Sequence, residues 1–150
     1  MATTWRYRLK TMKYITYIIL LLVSLNTWAN VFEKDKALEN LEHMKAREYF
    51  SPDSSGLYTG VRSEVFKLQL ETQYQAAITA FINHTKSGAT ERSYQELVKK
   101  SISTFKRDML DTEDAVRVAT NFEKLMDAIG LFSSGGAINI WMYGFDPTKG

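Results

Sequence analysis

Apolar positions three and four residues apart, separated by polar and charged ones, recur along most of the chain beyond residue 30. That spacing belongs to helices that bury one face. Leu38, Leu41, Met44 and Phe50 predict a first helix over residues 31–50, and Pro52, Gly56 and Gly60 make residues 51–60 a loop. Ser63 is suited to open a second helix. Its stripe of Phe66, Leu70, Tyr74, Ala77, Ile78, Phe81 and Ile82 predicts the central, most buried element. Residues 83–90 are polar and contain Gly88, so the chain is expected to turn there. Thr90 or Ser93 begins a third helix, with Ser93 and Glu96 in capping-box spacing and Tyr94, Leu97, Val98, Ile102 and Phe105 as its apolar face. No alternating run of strand length interrupts this series. The fold is therefore expected to be all-α.

The stretch LDTEDAVRVATNFEKLMDAIG, residues 110–130, carries the clearest helix signals. Asp111 or Thr112 is placed to cap it, Glu113 and Asp114 fall in the first turn beside the positive end of the helix dipole, and Gly130 stops it. The apolar face is Ala115, Val118, Ala119, Phe122, Leu125, Met126 and Ile129. Capping accounts for the acidic cluster, and a ligand role for Asp111, Glu113 and Asp114 is the competing reading. Four main helices joined by short loops predict an antiparallel bundle. A chain of this size buries roughly two thirds of its unfolded surface, enough for stability without a cofactor.

After Gly130 the sequence reads LFSSGGAINIWMYG, residues 131–144. Leu131 and Phe132 are expected to pack back, and Ser133 or Ser134 to cap a short fifth helix with Gly135 and Gly136 in its first turn. Glycine costs roughly 1 kcal/mol relative to alanine inside a helix, so the pair asks for a reason. One is close approach of another backbone; the other is an anion or carbonyl held by the turn's free N–H groups. Close packing is the preferred reading. Ile138, Trp141 and Met142 are expected to face inward, making the fifth helix a lid and leaving Asn139 and Tyr143 on a neighbouring face. Asn139 is expected to be half-buried and tied to a carbonyl or to the serine turn, or else to hold a ligand's polar edge.

The first thirty residues change the picture. A basic start, an apolar run over residues 14–25 and small Thr27 and Ala29 follow the plan of a secretory signal. Cleavage is expected after Ala29, giving a mature chain of residues 30–150 exported to the periplasm. The alternative is an inner-membrane anchor formed by residues 14–25, although that run is shorter than the roughly 20 residues a spanning helix needs. Translation could start at Met1 or at Met12, which Lys13 follows directly.

Charge and cysteine content narrow the chemistry. The net charge is +2, yet four of the nineteen basic residues precede Glu33, the first acidic one, so fifteen basic residues face seventeen acidic ones beyond. A nearly neutral body with mixed signs lacks the basic footprint of a nucleic-acid binder. With no cysteine, disulfides, thiolate metal sites and a cysteine nucleophile are excluded. The two histidines, His43 and His84, have no metal-ligand spacing between them, and neither a metal nor a cofactor is expected.

The LDTED, SSGG and WMYG blocks, together with the upstream YTGV at residues 58–61, resemble the bacterial domain-of-unknown-function family 4844 over about residues 58–144. The resemblance implies a helical domain and no established activity. From the residues, the first functional expectation is a small exported binding or inhibitor protein with a protein partner in the cell envelope, for instance an immunity protein neutralising a periplasmic toxin. The alternatives are an envelope enzyme using Asp111, Glu113, Asp114 or His43 as acid or base, and a membrane-tethered accessory protein. Candidate binding residues are Asp111, Glu113, Asp114, Ser133, Ser134, Gly135, Gly136, Asn139, Trp141 and Tyr143. No residue is assigned a catalytic role, and the sequence carries no sign of an oligomeric state.

Overall fold

Ser63 begins the longest helix: its hydroxyl accepts a hydrogen bond from the Phe66 amide in the computed structural model, which describes residues 33–54 and 56–146. The expected signal segment, residues 1–29, lies outside the described residues. Contacts define a compact unit that begins at Lys36, inside the first helix, and the following architecture refers to its described residues. Its helices are α1 (33–45), α2 (Glu64–Lys86), α3 (Glu91–Ile102), α4 (Thr112–Ala128) and α5 (Ala137–Tyr143), with one 3-10 turn at Arg107–Met109. No strand occurs among the described residues, so the fold is all-α as the periodicity implies.

Helix α1 stops at residue 45, five short of the expected end, because other groups take over its last donors and acceptors. The Tyr49 hydroxyl donates to the Met44 carbonyl at 2.8 Å, and one carboxylate oxygen of Glu71 on α2 accepts from the amides of Tyr49 and Phe50 at 2.6 and 2.7 Å. Phe50 is fully buried without being helical. Its ring packs edge-on against Tyr74 and beside Phe105, which is why it mimics a helical register.

Helix α2 is the longest element, but the helix with the broadest contacts is α3 rather than the expected α2. On α2, Leu70, Tyr74, Ala77, Ile78, Phe81 and Ile82 are buried, and each large side chain removed from water contributes roughly 1.5–3 kcal/mol. It also runs four residues further than expected, through Asn83–Lys86. Buried Thr85 holds this last turn: its hydroxyl donates to the Phe81 carbonyl and shares a hydrogen bond with Tyr94 of α3 at 2.7 Å. Thr90 then caps α3 in a reciprocal box with Ser93 rather than the expected Ser93–Glu96 pair. Because the helix opens at Glu91, Ser93 is its third residue and its hydroxyl reaches back to the cap amide.

Asp111 is the cap of α4, its carboxylate accepting from the Asp114 amide at 2.8 Å. At the other end the Gly130 amide donates to the Asp127 carbonyl and the Leu131 amide to that of Met126, a Schellman closure. Only Leu131 packs back. Phe132, expected to follow it inward, is 100% exposed, because the closure ends with Leu131 and leaves the next side chain outside.

The core joins these pieces through rings. Tyr74 packs edge-on against Tyr49, Phe50 and Phe122, and Phe122 against Phe105. Helix α3 touches α2, α4 and α5, and α5 also rests on α4. The indole N–H of Trp141 fastens α5 by donating to the Phe105 carbonyl at 2.8 Å.

Candidate functional site

The serine–glycine turn stands ahead of α5 rather than inside it. Gly136 is the N-cap, and both glycines are left-handed, at φ +62° for Gly135 and +85° for Gly136. Two consecutive residues of that hand are what lets the chain reverse into the lid, and they place the pair outside the expected first turn. The close neighbours are side chains rather than a backbone: Gln95 beside Gly135 and Asp146 beside Gly136. Ser133 Oγ accepts from the Gly135 amide at 3.1 Å, and Ser134 accepts from Ala137 through its carbonyl and from Ile138 through its hydroxyl. These amides are therefore spent within the turn. Gln95 of α3 ties it down by donating to the Ser133 carbonyl at 3.2 Å.

A groove of about 380 Å³ runs between α3 and α5, and Ser134, Gly135 and Trp141 line it together with Gln95, Lys99 and Ile102. Asn139 is half-buried and forms no side-chain hydrogen bond with a described residue; the tie expected of it is made by Trp141. Tyr143 is exposed, its ring 6.4 Å from that of Phe145.

The acidic residues at the start of α4 lie apart from the groove lining and do three different things. Asp111 caps, Glu113 is exposed, and Asp114 is buried with its Oδ1 accepting from the Tyr58 hydroxyl at 2.7 Å. Arg117, one turn on, lies over the Tyr58 ring at 4.0 Å and donates to Asp53 at 2.5 Å. Asp53 and Tyr58 close the loop between α1 and α2, since the Asp53 amide donates to the Tyr58 carbonyl at 3.1 Å. Burial, and then the hydrogen bond to Asp114, hold the Tyr58 phenol well above the ordinary tyrosine range. The result is a loop clamp in which the Asp114 carboxylate is paired with a phenol rather than set beside a described histidine as an acid–base pair. His43 is exposed on α1, 3.9 Å from Glu39. Among the described residues, no group of three or more histidine and acidic side chains is placed to hold a metal.

A larger cleft, about 780 Å³, opens between α1 and α4. Asn40 and His43 line it from α1, Arg47 from the bend that follows α1, and Arg117, Asn121 and Lys124 from α4. Asn40 closes one end by donating to the Ala128 carbonyl at 3.1 Å. Glu48 stands at its rim, its carboxyl held below the usual range by the Ser51 hydroxyl and then by Lys67. Asn121 is 1% exposed, and neither its Oδ1 nor its Nδ2 has a hydrogen-bond partner. None of the sequence patterns singles this residue out, although an asparagine three residues after Val118 and four before Leu125 falls on the inward face, which is a readable sign.

The family described as "Domain of unknown function (DUF4844)" matches residues 25–146. A crystal structure of a DUF3571 family protein from Acinetobacter baumannii AYE is 34% identical, covering 78% of this chain and 96% of that one, with a TM-score of 0.70. No curated protein matches the chain significantly. No helix among the described residues is long and apolar enough to cross a membrane. The match over residues 25–146, on a helical frame shared with a solved relative, establishes that the chain belongs to the DUF4844 family.

Proposed function

We propose that this chain is an exported binding protein that holds a protein partner in the cell envelope through its C-terminal lid, in the manner of an inhibitor or of an immunity protein that neutralises a periplasmic toxin. The observation that carries this reading is the exposure of large apolar side chains in one short segment: Phe132 at 100%, Tyr143 at 64%, Phe145 at 61% and Ile140 at 47%. Concentrated exposed apolar side chains mark interaction surfaces, and aromatic residues supply much of the energy at their centres. The lid that carries them is held by Trp141 and Gln95, so the surface is fixed before a partner arrives. Catalysis by the acidic cluster has less support, since Asp111 and Asp114 are occupied by a helix cap and a phenol.

In the same reading, residues 1–29 are the export signal, removed after Ala29, and the four longer helices form an antiparallel bundle that carries the lid. Intact-mass measurement on envelope material from cells expressing the full chain tests export: a species beginning at Asn30 is expected, and retention of residues 14–25 on membrane-bound protein would overturn it. Binding is tested by quantitative capture from the envelope with the wild type and with Phe132→Ser/Phe145→Ser. A partner enriched by the wild type and lost with the double variant is expected; identical profiles would refute the lid as the binding face.

A further inference from the structure

We infer that the cleft between α1 and α4 is a second binding site, distinct from the lid, that takes a stretch of extended peptide main chain and pairs one residue's N–H and C=O with the Asn121 side chain. Arg117, Asn121, Lys124 and Ala128, spaced by four, three and four, form the α4 wall, which puts Asn121 in its middle. A buried amide with neither atom paired costs free energy that an apolar residue of the same shape would avoid. The side chain does not hold the core together either, because the Tyr74 hydroxyl bonds to the main-chain carbonyl of Asn121 at 2.6 Å.

The chemistry of the occupant follows from what the amide lacks. It offers donors on Nδ2 and an acceptor on Oδ1, so its complement must accept and donate side by side. A carboxylate or phosphodiester only accepts and an ammonium only donates, leaving half the amide unpaired. An extended residue presents its own N–H and C=O along one edge, as in the hydrogen-bonded pairs of a β-ladder. Charge agrees with a neutral occupant: Arg47, Arg117 and Lys124 are balanced by Glu48, Asp53 and Asp127 around the walls. The volume of about 780 Å³ lies inside the roughly 300–1,000 Å³ range of small-ligand sites. Each amide atom exposes less than 1 Å², so a lining side chain must turn aside on binding. Arg47 and Lys124, exposed and without an ion pair among the described residues, are free to do so.

The test is an NMR titration of the full chain with a blocked tripeptide, N-acetyl-trialanine N-methylamide, with sodium acetate and methylammonium chloride as ionic controls. Saturable shifts are expected at the Asn121 side-chain NH2 and at Asn40, Arg117 and Lys124, with neither control reproducing them. Asn121→Leu should weaken the peptide about tenfold or more without lowering the denaturation midpoint, while Phe132→Ser/Phe145→Ser should leave it unchanged. Peptide shifts confined to the lid, or an Asn121 NH2 that stays on a long-lived internal water throughout the titration, would overturn the inference. Neither result bears on capture by the lid, which is read separately. If Asn121→Leu also weakens the captured partner, the peptide is a loop of that partner; if capture is untouched, the site serves free peptides.

Discussion

Replacing Gly136 by alanine puts a methyl group where the backbone and a neighbour both resist it. At φ +85° an L-residue is in the left-handed region, which costs roughly 1–2 kcal/mol. The new Cβ would also stand 2.9 Å from Cγ of Asp146 and closer still to its Oδ2, so that side chain must move, at a cost of about 1 kcal/mol or more. Alanine recovers roughly 0.4–1 kcal/mol by restricting the unfolded chain. The net expectation is a loss of about 2 kcal/mol. Gly130 provides the control: its φ is +71°, but a Cβ there meets nothing within 4 Å, so Gly130→Ala should lose only the backbone part, about 1 kcal/mol. Urea denaturation of the full chain reads both, with unchanged slope showing that stability alone has moved. Adding Asp146→Ala to Gly136→Ala should bring its loss down to that of Gly130→Ala once the effect of Asp146→Ala alone is subtracted. The reasoning fails if Gly136→Ala is as stable as the wild type, or if the Asp146 change recovers nothing.

Three further outcomes follow from the clamp and the caps. Tyr58→Phe leaves the buried Asp114 carboxylate without its donor and should destabilise by about 1.5–3 kcal/mol, and a double-mutant cycle with Asp114→Ala should return most of that as coupling; additivity would show the bond to be idle. Burial first, with the Asp114 bond at Tyr58 and neighbouring Tyr49 at Tyr74, raises both phenols in the folded state, so their contribution is fully present below the unfolded tyrosine value of about 10 and is lost as pH rises beyond it. Denaturation midpoints that stay flat from pH 9 to 11 would contradict this. Asp111→Ala should lose about 1 kcal/mol while Thr112→Ala loses little, since only Asp111 accepts from the helix amides; equal losses in chemical denaturation would reverse the assignment.

The helices were legible because their signals are local. Ser63, Asp111 and Gly130 stand next to the amides and carbonyls they serve, and the apolar stripe of α2 repeats every turn. Where the helix ends differ from expectation, the cause is a contact made across the fold. Glu71 ends α1 from another helix, and Thr85 prolongs α2 through a tyrosine on α3, neither of which any spacing within one segment announces. The candidate site divides the same way. The serine–glycine turn is visible as punctuation, but its left-handed geometry and the indole that fastens the lid require the folded chain. Tyr58 and Asp114 lie 56 residues apart. They fall in the YTGV and LDTED blocks that carry the family resemblance, so the blocks mark the clamp without revealing that it is one.

The central claim is that the exposed lid binds a protein, and calorimetric titration of the partner captured from the envelope tests it most directly. The partner is titrated into the wild type and into Phe132→Ser/Phe145→Ser, two positions 100% and 61% exposed. An affinity about tenfold or more weaker for the variant, at an unchanged denaturation midpoint, is the predicted result. Equal affinities for the two proteins would contradict the account.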